Sequence, residues 1–417
     1  MILNWNAWGS RADDMQGIPT KNILIISEFF VGGGLETQLC GQARYLQERG
    51  YKVYLLTSSS RSGLAESVFD STYFDVPMAT ATAFQLLRTI DLLGEIVEKK
   101  AVSVIHCHPF YSIVPAMFVA HRYGLPLIST IHGPASLSAE RDTILGMFLF
   151  DLLLPRASLL LSVSLETSVG AKKVSPCNPL LLPNAVKFPT DEPSSLDLRQ
   201  PWLWAGRLDD LKTTGLLALV NEFGKHKHNV LHIYGAGPKE ESVKAVLQEL
   251  DPVSKWVQYK GWKNNISDII ENYSVVCGMG RVILEGASRN RPCMLVGYDG
   301  VKGLVSQDNL DFSESFNFSG RGMENISSDI FSEQLEDLNG YSEKYLLSEE
   351  IKRNHMESKV WARYEKLVDS ISTFSCAVLE DFGDLLWLNS RETEVVWSNS
   401  HVYSGFKSLL QNAKEPI

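Results

Sequence analysis

Residues 273–303, YSVVCGMGRVILEGASRNRPCMLVGYDGVKG, constrain the fold more tightly than any other stretch of the chain. A β-branched run, Ser274-Val275-Val276, leads into a Gly-x-Gly turn at Gly278 and Gly280. Helical spacing follows over residues 281–289, and Pro292 opens a second apolar run from Cys293 to Val296. Strand, glycine turn, helix and strand in that order predict a βαβ unit, which can exist only in a sheet with parallel neighbours. A helix that starts straight after a glycine turn presents free N–H groups and the positive end of its dipole, a setting suited to a phosphate or a sugar hydroxyl. Glu285 lies about one turn inside that helix, where a carboxylate can reach the diol of a ribose; a solvent-facing Glu on an ordinary helix is the alternative.

The same alternation runs through the rest of the chain. Ile23-Leu24-Ile25-Ile26-Ser27 reads as a strand buried on both faces. Gly32-Gly33-Gly34 follows it, then a helix with Leu35, Leu39, Ala43 and Leu46 on one stripe, then the strand Val53-Tyr54-Leu55-Leu56-Thr57. Further strands are predicted at 103–106, 126–133 and 159–164, with helices at 91–100 and 111–122. Residues 191–200, DEPSSLDLRQ, are polar with Pro and Ser and read as a linker. A second doubly wound pattern opens at Trp202-Leu203-Trp204-Ala205 and continues through Val230 to Tyr234 and Val257 to Trp262 into the central βαβ unit. The expected organisation is therefore α/β: a leader (1–20), an N-terminal Rossmann-like domain (21–190), a C-terminal Rossmann-like domain (201–340), and a helical segment and tail (341–417) whose last forty or so residues carry no readable pattern.

A chain of 417 residues exceeds what one core usually serves, which agrees with two domains. The formal charge of −10 is unevenly placed: residues 1–190 hold 15 Lys+Arg against 15 Asp+Glu, leaving 24 against 34 for the remainder. No basic block is present, so a nucleic-acid backbone is a poor partner and any anionic ligand must be held by a few placed groups. The six cysteines form no CxxC pair and their scatter argues against a zinc site or a disulfide framework. The most apolar segment, TILGMFLFDLLLPRASLLLSV, is broken by Asp151, Pro155 and Arg156. It falls short of a spanning helix; contact with a membrane surface is one reading, buried core the favoured one.

Three constellations carry candidate chemistry. Arg207 and Lys212 follow a strand at a spacing that lets two cations meet one diphosphate, the alternative being two loop cations. Gly235 and Gly237 after an apolar strand, and Gly33 and Gly34 at the start of the first helix, mark places where a phosphate or base can approach the backbone, or simple tight turns. The Gly235-Ala236-Gly237 run lacks the third glycine and ribose acid of a dinucleotide fingerprint, which counts against a nicotinamide dehydrogenase. His106, His108 and His132 all fall at strand ends, and His132 is placed to donate to a substrate hydroxyl or to act in general acid–base chemistry.

These pieces occur in the order and approximate spacing of the retaining glycosyltransferases of family 4, which the chain resembles over roughly residues 21–340. The likeness is carried by GGGLETQLCGQARYLQERGYKVYLLT, VIHCHPFYSIVPAMFVAHRYGLPLISTIHG, LLPNAV, WAGRLDDLKTTG, LHIYGAGP and GMGRVILEGASRNRPCMLVGYDG. The resemblance implies a GT-B fold, two Rossmann-like doubly wound parallel-sheet domains facing across a cleft. It implies that Gly33 and Gly34 line the donor phosphates, that His132 approaches the donor sugar, that Arg207 and Lys212 clamp the diphosphate, and that Glu285, the second acid of an EX7E motif, binds the ribose. The first acid of that motif is replaced by Cys277, which shifts sugar recognition to the backbone of Gly278, Met279 and Gly280, with Arg281 nearby. The implied activity is hexosyltransferase-type: transfer from a nucleotide-diphosphate sugar to a hydroxyl acceptor, glycan or lipid-linked, with no metal or cofactor required. Cell-surface polysaccharide or glycolipid assembly at the cytoplasmic face of a membrane is the setting such a likeness suggests. A non-catalytic GT-B-like module binding a sugar nucleotide or a partner protein, and a nucleotide-sugar epimerase, are the alternatives.

Overall fold

The computed structural model describes residues 22–30, 33–60, 65–191, 194–226, 229–340, 343–392 and 394–412; the expected leader, residues 1–20, lies outside them. The chain divides into two compact units, the first comprising residues 1–32, 39–182 and 361–417, the second residues 33–38 and 183–360. The 341–417 segment is thus shared, its first part packing with the second sheet and the remainder with the first.

In the first unit, strands β1 (Asn22–Phe30), β2 (Lys52–Ser60), β3 (Ser71–Tyr73), β4 (Val104–Cys107), β5 (Leu127–Ile131), β6 (Leu159–Ser162) and β7 (Leu180–Leu181) form a sheet in the order β3-β2-β1-β4-β5-β6-β7. Every pairing is parallel. The strands β4, β5 and β6 are buried at every position, as a sheet covered on both faces requires. Between the strands up to β6 lie the helices α1 (Gly34–Gln47), α2 (Ala83–Lys100), α3 (Ile113–Arg122), α4 (Ile144–Met147) and α5 (Leu154–Arg156), the last two joined by a π-helical turn, Phe148–Leu153. Helix α2 begins earlier than its apolar spacing suggested because Thr82 and Gln85 form a reciprocal capping box. Helix α6 (Leu165–Val174) has a second box, Ser164 with Thr167. The apolar segment at 144–154 is core: Phe148 and Leu153 are fully buried. No helix among the described residues is long and apolar enough to cross a membrane.

In the second unit, β8 (Trp202–Ala205), β9 (Leu231–Tyr234), β10 (Val257–Gly261), β11 (Val275–Gly278), β12 (Cys293–Val296) and β13 (Val301–Leu304) follow the order β10-β9-β8-β11-β12-β13, parallel except for the antiparallel edge strand β13. Helices α7 (Asp210–His226), α8 (Glu240–Leu250), α9 (Arg281–Ser288), α10 (Leu310–Ser315), α11 (Ser328–Asn339) and α12 (Ser348–His355) complete it, and α13 (Glu357–Val368) carries the chain back to the first unit, where α14 (Val378–Leu388) and α15 (Ser400–Asn412) end it. Both sheets reverse their chain order at one point, between β1 and β4 in the first and between β8 and β11 in the second. Ligands of open α/β sheets bind beyond the carboxyl ends of the strands at such switch points.

Candidate functional site

At the carboxyl end of β8 the chain runs Gly206-Arg207-Leu208-Asp209 into α7. The Asp209 carboxylate organises this corner. Its Oδ1 accepts the amide hydrogens of Leu211 (3.1 Å) and Lys212 (3.0 Å), an N-cap for α7, while its Oδ2 accepts from Arg207 Nε at 2.6 Å. These bonds and the neighbouring cations hold the Asp209 carboxyl below the usual carboxylate range against the opposing effect of its burial. Among the described residues Arg207 is held through Nε, and its side chain is 56% exposed, leaving the outer fork of the guanidinium for an external anion. Desolvation lowers the Lys212 pKa, Asp209 opposes the shift and Arg207 adds to it, so the two cations are close enough to feel one another. The sequence named this pair; the aspartate that seats it was missed, although an Asp three residues before Lys212 at a helix start is the ordinary signature of a cap.

Gly235 and Gly237 have a packing role in the same corner. A Cβ on Gly235 would lie 2.3 Å from the Gly206 carbonyl oxygen, and one on Gly237, whose φ is +154°, 2.3 Å from that of Leu208. The loops after β8 and β9 are laced together by backbone bonds from Leu208 N to Ala236 O (2.9 Å) and from Lys239 N to Leu208 O (2.9 Å). The glycines therefore allow two backbones to touch, which accounts for them without a ligand.

In the central βαβ unit, β12 and the start of α9 fall where the spacing placed them. Cys277 is fully buried in β11, and burial pushes its thiol well above the ordinary range, so this position is inert and apolar. Gly278 (φ +147°) and Gly280 (φ +65°) both use backbone space open to glycine, with Met279 half-buried between them. One expectation needs correction: the Gly280 amide is already engaged, donating to the Phe318 carbonyl at 2.7 Å. It is held there by two successive left-handed residues, Asn317 (φ 52°) and Phe318 (φ 51°). Glu285 is buried, and its Oε1 accepts from Arg281 Nε at 2.9 Å. The Arg281 Nη1 also donates to Ala185 O (2.5 Å) and to Gln38 Oε1 (3.1 Å), and the same Gln38 oxygen accepts from Ala185 N at 3.0 Å. Gln38 belongs to the second unit together with Gly33 and Gly34, and the Gly33 carbonyl accepts the Thr37 amide at 3.1 Å at the start of α1. A carboxylate already attends that helix start: Glu36 Oε2 lies 3.0 Å from where a Gly33 Cβ would stand.

The first unit brings its three strand-end histidines into one stack. Tyr364 lies against His106 (ring centroids 5.5 Å), His106 against His108 (4.4 Å) and His108 against His132 (4.9 Å). Hydrogen bonds tie the ladder: Tyr364 Oη with His106 Nδ1 at 3.1 Å, His106 Nε2 with Thr130 Oγ1 at 2.8 Å, and His108 Nδ1 with His132 Nε2 at 2.7 Å. Burial drives His106 down to about 3 and His132 to about 4, and holds His108 well below the ordinary imidazole value, so all three are neutral at pH 7. That state suits a hydrogen-bond partner better than a general acid. Beside the ladder, Glu28 is buried at the carboxyl end of β1, where its Oε2 accepts the Tyr111 amide at 2.8 Å and burial raises its pKa.

Two doubly wound sheets of this order on one chain are the GT-B fold. A glycosyltransferase from Rickettsia africae ESF-5 (TM-score 0.59, 15% identity) matches over 84% of this chain and 98% of its own. HepE of Anabaena, solved in complex with UDP, matches at TM-score 0.63 and 14% identity over 84% and 100%. Sucrose-phosphate synthase from Thermosynechococcus elongatus matches at 0.61 and 14% over 83% and 98%. Within this class, residues 32–186 match the family model described as Glycosyltransferase Family 4. A sequence search of curated proteins returns no match.

Proposed function

We propose that the protein is a retaining glycosyltransferase that moves a hexose from a nucleotide-diphosphate sugar to a hydroxyl acceptor. The observation that carries this reading is the corner after β8, where Asp209 seats Arg207 and Lys212 side by side while Lys212 itself has no ion pair among the described residues. A cation withdrawn from water and only partly offset by Asp209, whose carboxylate is already bonded to Arg207, is stabilised by an incoming anion, and a diphosphate supplies the charge. As the glycosidic C–O bond breaks, its electron pair goes to the leaving diphosphate, where Arg207 and Lys212 stabilise it. The acceptor oxygen bonds to the anomeric carbon on the same face, and its proton passes to a departing phosphate oxygen. His132 donates to the donor sugar, and Glu285 takes the ribose. These groups need no resident metal or cofactor.

The fold and the match over residues 32–186 support this class of reaction, and UDP bound to HepE makes a uridine donor the first to try. Cys277 favours a second reading, a module that binds a sugar nucleotide without turnover, because a buried neutral thiol stands where a sugar-holding acid is expected. The test is a thermal-shift panel of nucleotide diphosphates and their sugars, followed by NMR of the products from any donor that stabilises the protein. Transfer with retained anomeric configuration supports the enzyme; stabilisation without transfer or hydrolysis supports the binding module; isomerised donor indicates an epimerase.

A further inference from the structure

The ladder contains an imidazole that the proposed reaction does not use. His108 is buried, follows β4, and spends its Nδ1 on His132. Its other nitrogen, Nε2, is shut away from water with no hydrogen-bond partner among the described residues. This asymmetry decides which way the 2.7 Å bond runs. Both rings are neutral, so one of the two facing nitrogens carries a proton and the other a lone pair. If His132 donated from Nε2, a neutral His108 would have to carry its own proton on Nε2, and a buried N–H donor would be stranded. If His108 donates from Nδ1, only an unused lone pair is left at Nε2. Orphaned N–H donors are the rarer and costlier defect, so the second arrangement holds. Its consequence reaches the next ring: with Nε2 accepting, His132 must carry its proton on Nδ1, a nitrogen with no protein partner among the described residues.

We infer that His108 is a positioning residue that fixes His132 as the Nδ1–H tautomer, so that His132 meets its ligand as a neutral hydrogen-bond donor through Nδ1. A substrate group facing His132 is then an acceptor, such as a sugar hydroxyl or ring oxygen. His106 stiffens the far side of the stack: Tyr364 and Thr130 occupy both of its nitrogens and keep its ring against His108. Other titratable groups near the ladder are Cys107 on β4, Glu28 towards the carboxyl end of β1, which accepts the amide of Tyr111 from the turn between β4 and α3, and Tyr364 on α13. Among the described residues neither Glu28 nor Tyr111 has a hydrogen bond to the His108–His132 pair.

The identity of the acceptor group rests on the function proposed above, but the tautomer does not, and two readouts keep the two claims apart. The first is the long-range proton–nitrogen NMR pattern of histidine-labelled protein at pH 7, without substrate. The expected pattern for His132 is a protonated Nδ1 and a bare Nε2; the opposite pattern in the wild-type protein overturns the inference whatever the enzyme does. The second compares His108→Phe, which removes the donor, with His108→Asn, whose amide can present an N–H close to the position of Nδ1. His108→Phe should lower kcat about tenfold, the worth of one hydrogen bond, with KM for the donor changed less, and His108→Asn should recover most of the loss. Equal losses in both variants, or a His108→Phe protein whose His132 keeps the Nδ1–H pattern, would assign His108 to packing alone.

Discussion

Arg281 and Glu285 face each other one turn apart on α9, Nε to Oε1 at 2.9 Å, with side chains 15% and 10% exposed. The carboxylate expected to hold a ribose thus has one oxygen committed before any ligand arrives, and Oε2 remains for a diol. The arginine is tied on its other edge to Ala185 and Gln38, so it works as a splint that orients the acid. Removing one partner of such a pair leaves a buried charge without compensation. Arg281→Ala should destabilise the second unit by about 3–5 kcal/mol, read by urea denaturation. Glu285→Gln keeps the shape and should cost less stability while weakening nucleotide-sugar binding. An Arg281→Ala protein with unchanged stability would mean that water screens the pair.

Lys212 makes a prediction through pH. Its folded pKa is lowered, chiefly by desolvation, so it gives up its proton at a lower pH than an ordinary lysine. The protonated form is the one that binds a diphosphate. Affinity for UDP or GDP should therefore fall with rising pH earlier than an unperturbed lysine would allow, and calorimetric titrations across the alkaline range measure this. Lys212→Arg should flatten the profile, since a guanidinium keeps its charge, and Lys212→Ala should lower turnover by orders of magnitude while leaving the fold intact. A wild-type affinity indifferent to pH would detach Lys212 from the phosphates.

The histidine ladder predicts acid sensitivity of a definite sign. Unfolded, the three imidazoles titrate near pH 6.5; folded, His106 and His132 lie at about 3 and about 4, and His108 well below its ordinary value. Between about pH 4 and 6.5 the unfolded chain binds more protons than the folded one, so stability rises with pH across that window and is lost on acidification through it. Buried Glu28, with its raised pKa, works in the opposite direction, so a difference measurement is cleaner. Calorimetry in buffers of different ionisation enthalpy should show that His108→Phe takes up about one proton fewer than wild type on unfolding at pH 5. Equal uptake by the two proteins would mean that His108 is solvated.

The Gly280 turn is a test of backbone rather than of contacts. Gly280 sits at φ 65°, ψ −127°, and a Cβ there would find nothing closer than the Asn317 carbonyl oxygen at 3.9 Å. Space is available but the conformation is not, so Gly280→Ala should cost about 1–3 kcal/mol through strain alone. It should also disturb the bond from Gly280 N to Phe318 O and with it the mouth of α9. A melting temperature equal to that of wild type would show that the turn relaxes freely.

How much of this was legible follows from the physics of each feature. The βαβ unit at 273–303 announced itself because burial on both faces of a parallel sheet demands unbroken apolar runs, and glycine at φ +65° tolerates few substitutes. Arg207 and Lys212 could be paired by spacing, whereas Asp209, which orients them, looked like one more loop acid until its three bonds were seen. His106, His108 and His132 could be placed at strand ends, but which of them touch depends on the register of β4 against β5, where His106 faces Ile128, and on Tyr364 arriving from more than two hundred residues away. The Gly280 amide could not be known to be occupied, because Phe318 reaches it from a loop whose two left-handed residues carry no glycine to betray them.

The tail after residue 374 was unreadable for a related reason: its partners lie at the opposite end of the chain. Phe406 stacks on Phe148 (4.7 Å) and leans on Phe382 (4.5 Å), while Phe148 and Phe382 meet edge to face at 5.1 Å. Trp397, almost completely buried, donates from Nε1 to Met78 O at 3.0 Å and sits edge-on to Tyr111. Helices α14 and α15 therefore complete the core of the first unit instead of trailing from it. A chain ending at residue 373 would leave the apolar π-helical turn at 148–153 without its cover and should fail to fold. Phe406→Ala should cost about 3–5 kcal/mol, as large core aromatics do, and open the first unit to protease. Leu388, on the same helix pair but 76% exposed, provides the control: Leu388→Ser should change stability by no more than about 0.5 kcal/mol. Equal tolerance of both substitutions in a denaturation series would show that the tail does not belong to this core.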